Sequence, residues 1–244
     1  MAEPELRVLA VRGLDEVRPG DDLAMLIAEA CRPPSGPGLQ DGDVLVVTSK
    51  VISKAEGRLV QIDDLDEAQK VALVEREAVR VLRRRGDLRV TETAHGFVCA
   101  NAGVDRSNVD RGHAVLLPDD PDRSARRLRA DLRRRLDVAV GVVVSDTFGR
   151  AWRRGVTDVA IGCAGVAGIL DLRGTPDAMG RLLEATEVCV ADELAAAADI
   201  VMGKATGIPA AVVRGAPRSW LRDGSVKDEI VGDAWAARTA GVQR

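Results

Sequence analysis

Short apolar runs predict strands at residues 6–11, 88–93, 96–101, 113–117 and 209–214, with another near 184–190. Two runs are apolar almost throughout, residues 43–50 (DVLVVTSK) and 138–145 (VAVGVVVS), as expected of interior strands buried on both faces. Apolar residues recurring at three- and four-residue steps predict helices over 23–31, with Asp21 or Asp22 as N-cap, over 66–85, within 118–136 and over 191–199. The 66–85 stripe is Ala68, Val71, Leu73, Val74, Ala78, Val81 and Leu82, and arginines 83–85 suit the negative end of a helix dipole. In 118–136, Leu128, Leu132 and Leu136 would pack inward beneath a solvated basic face. Three Pro and three Gly exclude regular structure from 32–42; residues 155–174 read as a Gly-rich stretch and 203–207 as a loop. The polar tail, 216–244, is weakly patterned. Strands and helices mix without regular alternation, which predicts a single mixed α/β (α+β) domain over 1–244, not a doubly wound Rossmann sheet.

Composition narrows the functional classes. With 46% hydrophobic and 30% charged residues, the chain can build a sizeable core. A net charge of -3 and only 2% aromatics argue against phosphate-driven or base-stacking nucleic-acid binding. RNA binding through the arginines of 123–135 would require steeply salt-dependent affinity and sits poorly with an acidic whole. Cys31, Cys99, Cys163 and Cys189 are widely spaced in apolar or small surroundings, which predicts buried free thiols. The first residues lack the apolar run of a signal peptide, and no stretch is long enough to span a membrane, so cytoplasm is the expected location. Arginine outnumbers lysine 30 to 5, so each lysine is worth locating.

Four segments have the composition of a site. The first, residues 48–58, places Ser49, Lys50, Lys54 and Arg58 directly after a buried strand; hydroxyls and ammonium groups suit a polyphosphate, although a solvent loop would look similar and no Walker A loop is present. The second, residues 101–108, offers Asp105 and Asn108, and taken alone an Asx-stabilised turn explains it better. The third, residues 145–150 with Arg153 and Arg154 beyond, puts Asp146 and Thr147 at the carboxyl end of an interior strand. That arrangement suits Mg2+ or Mn2+, with helix capping by Asp146 an equal alternative. The fourth, residues 202–209, is a glycine-bounded loop carrying Lys204 and Thr206, able to wrap a phosphate. His95 and His113 read as ordinary turn histidines.

In this order, RGLDEVRPGDD, GDVLVVTSKVISKAEGR, NAGVDRSNV, SDTFGRAWRRG and VADELAAAADIVMGKATGIPAAVVRG resemble the coenzyme F420:L-glutamate ligase family, from about residue 7 to 215. The chain also resembles the ligase half of actinobacterial enzymes with a C-terminal nitroreductase-like domain. The resemblance implies a non-Rossmann F420-ligase fold, a homodimer, and an amide ligase that uses GTP, Mg2+ or Mn2+ and, optionally, K+. The implied reaction adds L-glutamate to coenzyme F420-0 through an acyl phosphate and then extends a γ-linked tail. A different nucleotide-dependent carboxylate–amine ligase and a non-catalytic nucleotide-binding domain are the alternatives.

By the same resemblance, nucleotide contacts fall on Leu14, Asp15, Glu16 and Val17, on Ser49, Lys50 and Lys54, on Asn108, and on Met202, Gly203, Lys204, Ala205, Thr206, Gly207 and Ile208. Metal ligands fall on Asp105, Asp146 and Thr147, and the catalytic set is Asp105, Asp146, Lys54 and Arg150. Lys204 stands where archaeal members carry an acidic ligand to a second ion, so it is expected to supply positive charge there, or to leave that ion with fewer protein ligands.

Overall fold

The computed structural model describes residues 5–63, 66–150 and 153–231. The chain runs β1 (Arg7–Val11), α1 (Leu23–Ala30), β2 (Val44–Thr48), α2 (Ser49–Ala55), β3 (Leu59–Gln61), α3 (Glu67–Glu77), β4 (Ala78–Arg85), β5 (Leu88–Thr93) and β6 (Val98–Ala100). It continues through β7 (His113–Val115), α4 (Pro121–Leu136), β8 (Gly141–Gly149), β9 (Val156–Ala164), β10 (Leu170–Asp171), β11 (Glu187–Val188), α5 (Val190–Met202) and β12 (Ala210–Arg214). Five strands form the main sheet in the order β1-β12-β2-β8-β9. Only β2 and β8 pair in parallel within it; the other neighbours are antiparallel. This is an α+β fold with a mixed sheet and no Rossmann topology.

The valine runs explain the centre of that sheet. Val44–Val47, Val142–Val144 and Ala210–Val213 are inaccessible to solvent, so these strands need no polar face and read as continuous apolar stretches. Helix α5 contacts all five strands, and α4 packs on β8 and β9 and against α1. Asp22 caps α1 by accepting from the Met25 amide, whereas Asp21 accepts from the Arg18 amide. A smaller hydrophobic cluster (Ile62, Leu73, Val74, Ala102, Val104, Ala114, Leu116) joins α3, the β3–β7 pair and the turn after the three-stranded β4-β5-β6 sheet. Among the described residues no helix is long and apolar enough to cross a membrane.

The structure corrects several sequence expectations. The helix expected over 66–85 ends at Glu77, and 78–85 is β4. A two-residue turn at Gly86-Asp87 folds β4 back on β5, and cross-strand backbone bonds outweigh an apolar spacing that also fits a helix. The Gly-rich stretch contains β9, a nine-residue strand. Its Gly162 reflects a close approach: an added Cβ would lie 2.4 Å from the Pro121 carbonyl carbon at the start of α4. Residues 49–55 form α2 instead of continuing β2, and the strand near 184–190 shrinks to β11. Leu128 and Leu132 are buried as expected, but Leu136 lies exposed in the final turn of α4.

The tail is anchored in its described part. Asp122, buried at the start of α4, accepts from the Cys163, Val226 and Lys227 amides and from Ser225 Oγ. Residues 232–244 of the expected tail lie outside the described residues. Cys31, Cys99 and Cys163 are buried free thiols, and Cys189 is half-buried. Burial pushes the Cys31 and Cys99 thiols up to about 12, so neither is a reactive thiolate at neutral pH.

One ion pair ties the sheet at its far end. Asp43, 1% exposed, receives Arg214 Nε at 2.8 Å and Nη2 at 2.7 Å, and its backbone carbonyl accepts from the Gly141 amide. Arg214→Ala would leave that carboxylate buried without its partner. It should lower unfolding free energy by about 3–5 kcal/mol, read as an earlier urea midpoint at unchanged slope.

Candidate active site

The parallel register pairs Thr48 with Ser145, so β2 and β8 bring their following residues to the same edge of the sheet. There the two strands diverge. β2 turns into α2 at Ser49, whereas β8 continues to Gly149 paired with β9 alone. Asp146 and Thr147 therefore lie within a strand that has lost one neighbour, not at its end as the sequence suggested. The β8–β9 register shifts between Val144 and Ser145, a bulge of the kind that re-aims side chains beside functional sites. A cavity of about 410 Å³ opens at this point.

Its walls come from five parts of the chain. Helix α2 supplies Ser49, Lys50, Val51 and Lys54. The two lysines are four residues apart, one helical turn, and so share a face. The loop before α1 contributes Leu14, Asp15, Glu16 and Val17, and is tied to the end of α2 by the Gly20 amide donating to the Ala55 carbonyl at 2.9 Å. From the segment that follows β6 come Asn101, Gly103, Val104, Asp105 and Asn108. The β8–β9 pair presents Ser145, Asp146, Thr147 and Asp158, and the end of α5 with its following loop presents Asp199, Met202, Gly203, Lys204, Gly207 and Ile208.

Not every expected residue lines the wall. Ala205 and Thr206 do not; the Thr206 hydroxyl donates back to the Met202 carbonyl and closes the turn after α5. Arg150 is exposed just beyond β8, and Arg153 and Arg154 are exposed before β9, all outside the wall. Arg58 pairs with Glu77 and Asp119 and donates to the Leu117 carbonyl, a bracing role away from the cavity. His95 hydrogen-bonds the Pro118 carbonyl and stacks on Phe97, and neither histidine lines the wall.

Two acidic wall residues escaped the sequence reading, Asp158 and Asp199. Asp158 interrupts the apolar strand VTDVAIG, and Asp199 sits in the last turns of an apolar helix, where the dipole disfavours a carboxylate. The available signal was an acid set among apolar neighbours: the lone acid of β9, and in α5 an acid between Ala195–Ala198 and Ile200–Met202.

Each lysine of the cavity is engaged by a carboxylate. Lys50 Nζ lies 2.7 Å from Asp105 Oδ2 and donates to Ser107 Oγ at 2.7 Å. Lys54 pairs with Glu16. Lys204 Nζ lies 2.5 Å from Asp158 Oδ1 and 2.7 Å from Asp199 Oδ1, and donates to Thr147 Oγ1 at 2.9 Å. Burial works against the Lys204 ammonium, but Asp158 and Asp199 outweigh it and hold its pKa above the ordinary lysine value. Burial likewise opposes the Asp105 charge, yet Lys50 and the Ser107 amide and hydroxyl hold that carboxyl below its usual range.

Asp146 differs. Its Oδ1 accepts from Ser49 Oγ at 3.1 Å, and burial, reinforced by the Asp158 charge, pushes its pKa up to about 6 against the opposing Thr147, Ser49 and Lys50 contributions. A half-buried carboxylate so short of positive charge, in one cavity with Asp105 and Thr147, fits a hard divalent cation. Among the described residues no three carboxylate, His or Cys groups converge on one point. A cation here would therefore draw the rest of its shell from substrate oxygens and water, the usual Mg2+ pattern at phosphates.

Fold and cavity together define an α+β protein whose site pairs ammonium groups with carboxylates around an opening of about 410 Å³. The sequence matches the F420-0:gamma-glutamyl ligase family model over residues 13–215, and the chain belongs to that family. A protein of Methanothermobacter thermautotrophicus named coenzyme F420:L-glutamate ligase is 44% identical over 238 residues, covering 91% of this chain and 94% of the relative. Proteins of the same name from Methanopyrus kandleri (45% over 227 residues, 87% and 88% covered) and Archaeoglobus fulgidus (43% over 225 residues, 86% and 88% covered) are similarly related.

The raised Asp146 pKa makes a signed prediction for the metal-free protein. The native state holds the Asp146 proton more tightly than the unfolded chain, so stability falls as pH rises from the ordinary 3.8 through about 6, and the penalty is complete above that. In EDTA at pH 8, Asp146→Asn should exceed the unsubstituted protein in stability by roughly 1–3 kcal/mol, and the gap should close near pH 4. Urea midpoints across pH give the answer; parallel curves would mean that the carboxylate is already compensated.

Proposed function

We propose that this protein is a GTP- and divalent-metal-dependent ligase that joins L-glutamate to coenzyme F420-0 and then lengthens the γ-linked tail. The observation that carries the reading is the meeting of Asp105 and Asp146, from distant parts of the chain, in one cavity with Lys50, Lys54 and Lys204. Family membership and the names of the archaeal relatives support the substrates.

The chemistry follows from the bond to be made. A carboxylate is a poor electrophile, so the acceptor carboxylate is first phosphorylated by the γ-phosphoryl group, giving an acyl phosphate and GDP. The glutamate amine then displaces phosphate. Lys50 and Lys54, on one face of α2, would leave Asp105 and Glu16 to bind phosphate oxygens. Glu16 and its neighbours Leu14, Asp15 and Val17 would border the nucleotide, as would Asn108 and the loop at Met202–Ile208. Asp105, Asp146 and Thr147 would hold the divalent ion, which when bound neutralises charge on the transferring group. K+ remains an optional further ion. Arg150, with Arg153 and Arg154, would meet the acidic parts of the acceptor or the incoming glutamate from outside the cavity wall. A homodimer accords with the apolar Val79, Leu82, Leu88 and Val98 left exposed on the β4-β5-β6 sheet.

Incubation with coenzyme F420-0, GTP, Mn2+ and L-glutamate should yield, by mass spectrometry, acceptor enlarged by one or more glutamyl units together with GDP and phosphate. Asp146→Ala should cut product formation at least about 100-fold while the circular dichroism spectrum is retained. Near-normal monoglutamyl product from that variant would overturn the assignment of Asp146.

A further inference from the structure

We infer that the Lys204 ammonium is a tethered counter-ion filling a cation socket formed by Asp158, Asp199 and Thr147, and that removing it opens that socket to a divalent metal. This rests on reading the cavity as the metal–nucleotide site, with which the socket shares Thr147 but neither Asp105 nor Asp146. The socket takes its oxygens from three elements. Asp158 belongs to β9, Thr147 to β8 and Asp199 to α5, and the lysine reaches in from the loop that follows α5. All three oxygens lie within 2.9 Å of Nζ.

Charge accounting distinguishes this lysine from a surface salt bridge. Asp158 is 2% exposed, and its remaining contacts are the Ser145 and Thr147 hydroxyls, which are neutral. Asp199 Oδ1 is buried and has no hydrogen bond, so its compensation is the ion pair with Lys204. Two carboxylates thus depend on one ammonium, the only positive charge in contact with Asp158 among the described residues. Two carboxylates and a hydroxyl are also the hard oxygen set that Mg2+ or Mn2+ prefers.

The geometry is built before any ligand arrives. The Thr147 hydroxyl donates to Asp158 and accepts from Lys204, which fixes its orientation. Lys204 is therefore a positioning residue for Thr147, and it keeps one positive charge at this end of the cavity whatever the metal concentration. The lysine side chain is 47% exposed, so its stem fills no core space and its removal leaves no packed cavity.

The test counts ions without nucleotide. Free Mn2+ would be followed by electron paramagnetic resonance during titration of the full chain and of Lys204→Ala, with Lys204→Met as a second variant that retains most of the stem. Each variant should bind one Mn2+ per chain more than the unsubstituted protein. It should also melt at lower temperature in EDTA and regain that loss with Mn2+. Adding Asp158→Asn to either variant should abolish the extra equivalent. Equal Mn2+ counts in the unsubstituted protein and both variants would overturn the inference. An unsubstituted protein that neither binds Mn2+ with GTP nor forms product would defeat the function proposed above, yet an extra equivalent in Lys204→Met would still establish the socket.

Discussion

Parallel pairing of β2 with β8 is the constraint on which the cavity depends. Strands running in the same direction finish on the same side of a sheet, and the register of Thr48 with Ser145 finishes these two level with each other. Because β2 then leaves the sheet as a helix while β8 goes on, a strand carrying Asp146 and Thr147 is left with one flank unpaired. The opening is the space β2 would have filled. The paired stretches Val44–Val47 and Val142–Val144 are wholly buried, so sliding either by one residue would disturb the packing on both faces. The level finish is thus held by the same residues that form the core.

The charges in the cavity show how several lysines are held close together in one opening. Several ammonium groups in a partly desolvated space would repel one another. Here Lys50 rests on Asp105, Lys54 on Glu16, and Lys204 on Asp158 and Asp199. Each ammonium is thereby offset where it stands, and the repulsion among the three lysines is relieved. Asp146 stands apart, held by a hydroxyl with its pKa raised. Within this arrangement it is the carboxylate with most to gain from a cation.

Remote features hold the frame in place. Asp122 gathers β9 and the Val226–Lys227 segment through backbone amides, with no ammonium partner among the described residues, which suits a carboxylate at a helix start. Gly162 lets α4 approach β9 closely, so the strand carrying Asp158 packs against both α4 and α5. These contacts give a catalytic-looking edge a rigid backing.

Much of this was legible in the residues alone. The two valine runs announced interior strands, the scarcity of lysine singled out Lys50, Lys54 and Lys204, and the strand-end carboxylate picked out Asp146, because burial and chemistry leave local signatures in residue type and spacing. The boundary between α3 and β4 was not legible, since Ala78, Val81 and Leu82 fit a helical spacing and only pairing with β5 decides for a strand. Nor was the strand around Asp158, whose glycines look like a loop until the approach of α4 is known. By itself the sequence determined which segments are buried, which residues bear charge and which family the chain resembles. Tertiary structure alone decided that Lys204 meets Asp158, Asp199 and Thr147, and that Asp105 faces the same opening as Asp146, because those meetings join elements far apart in the chain and depend on strand order and register.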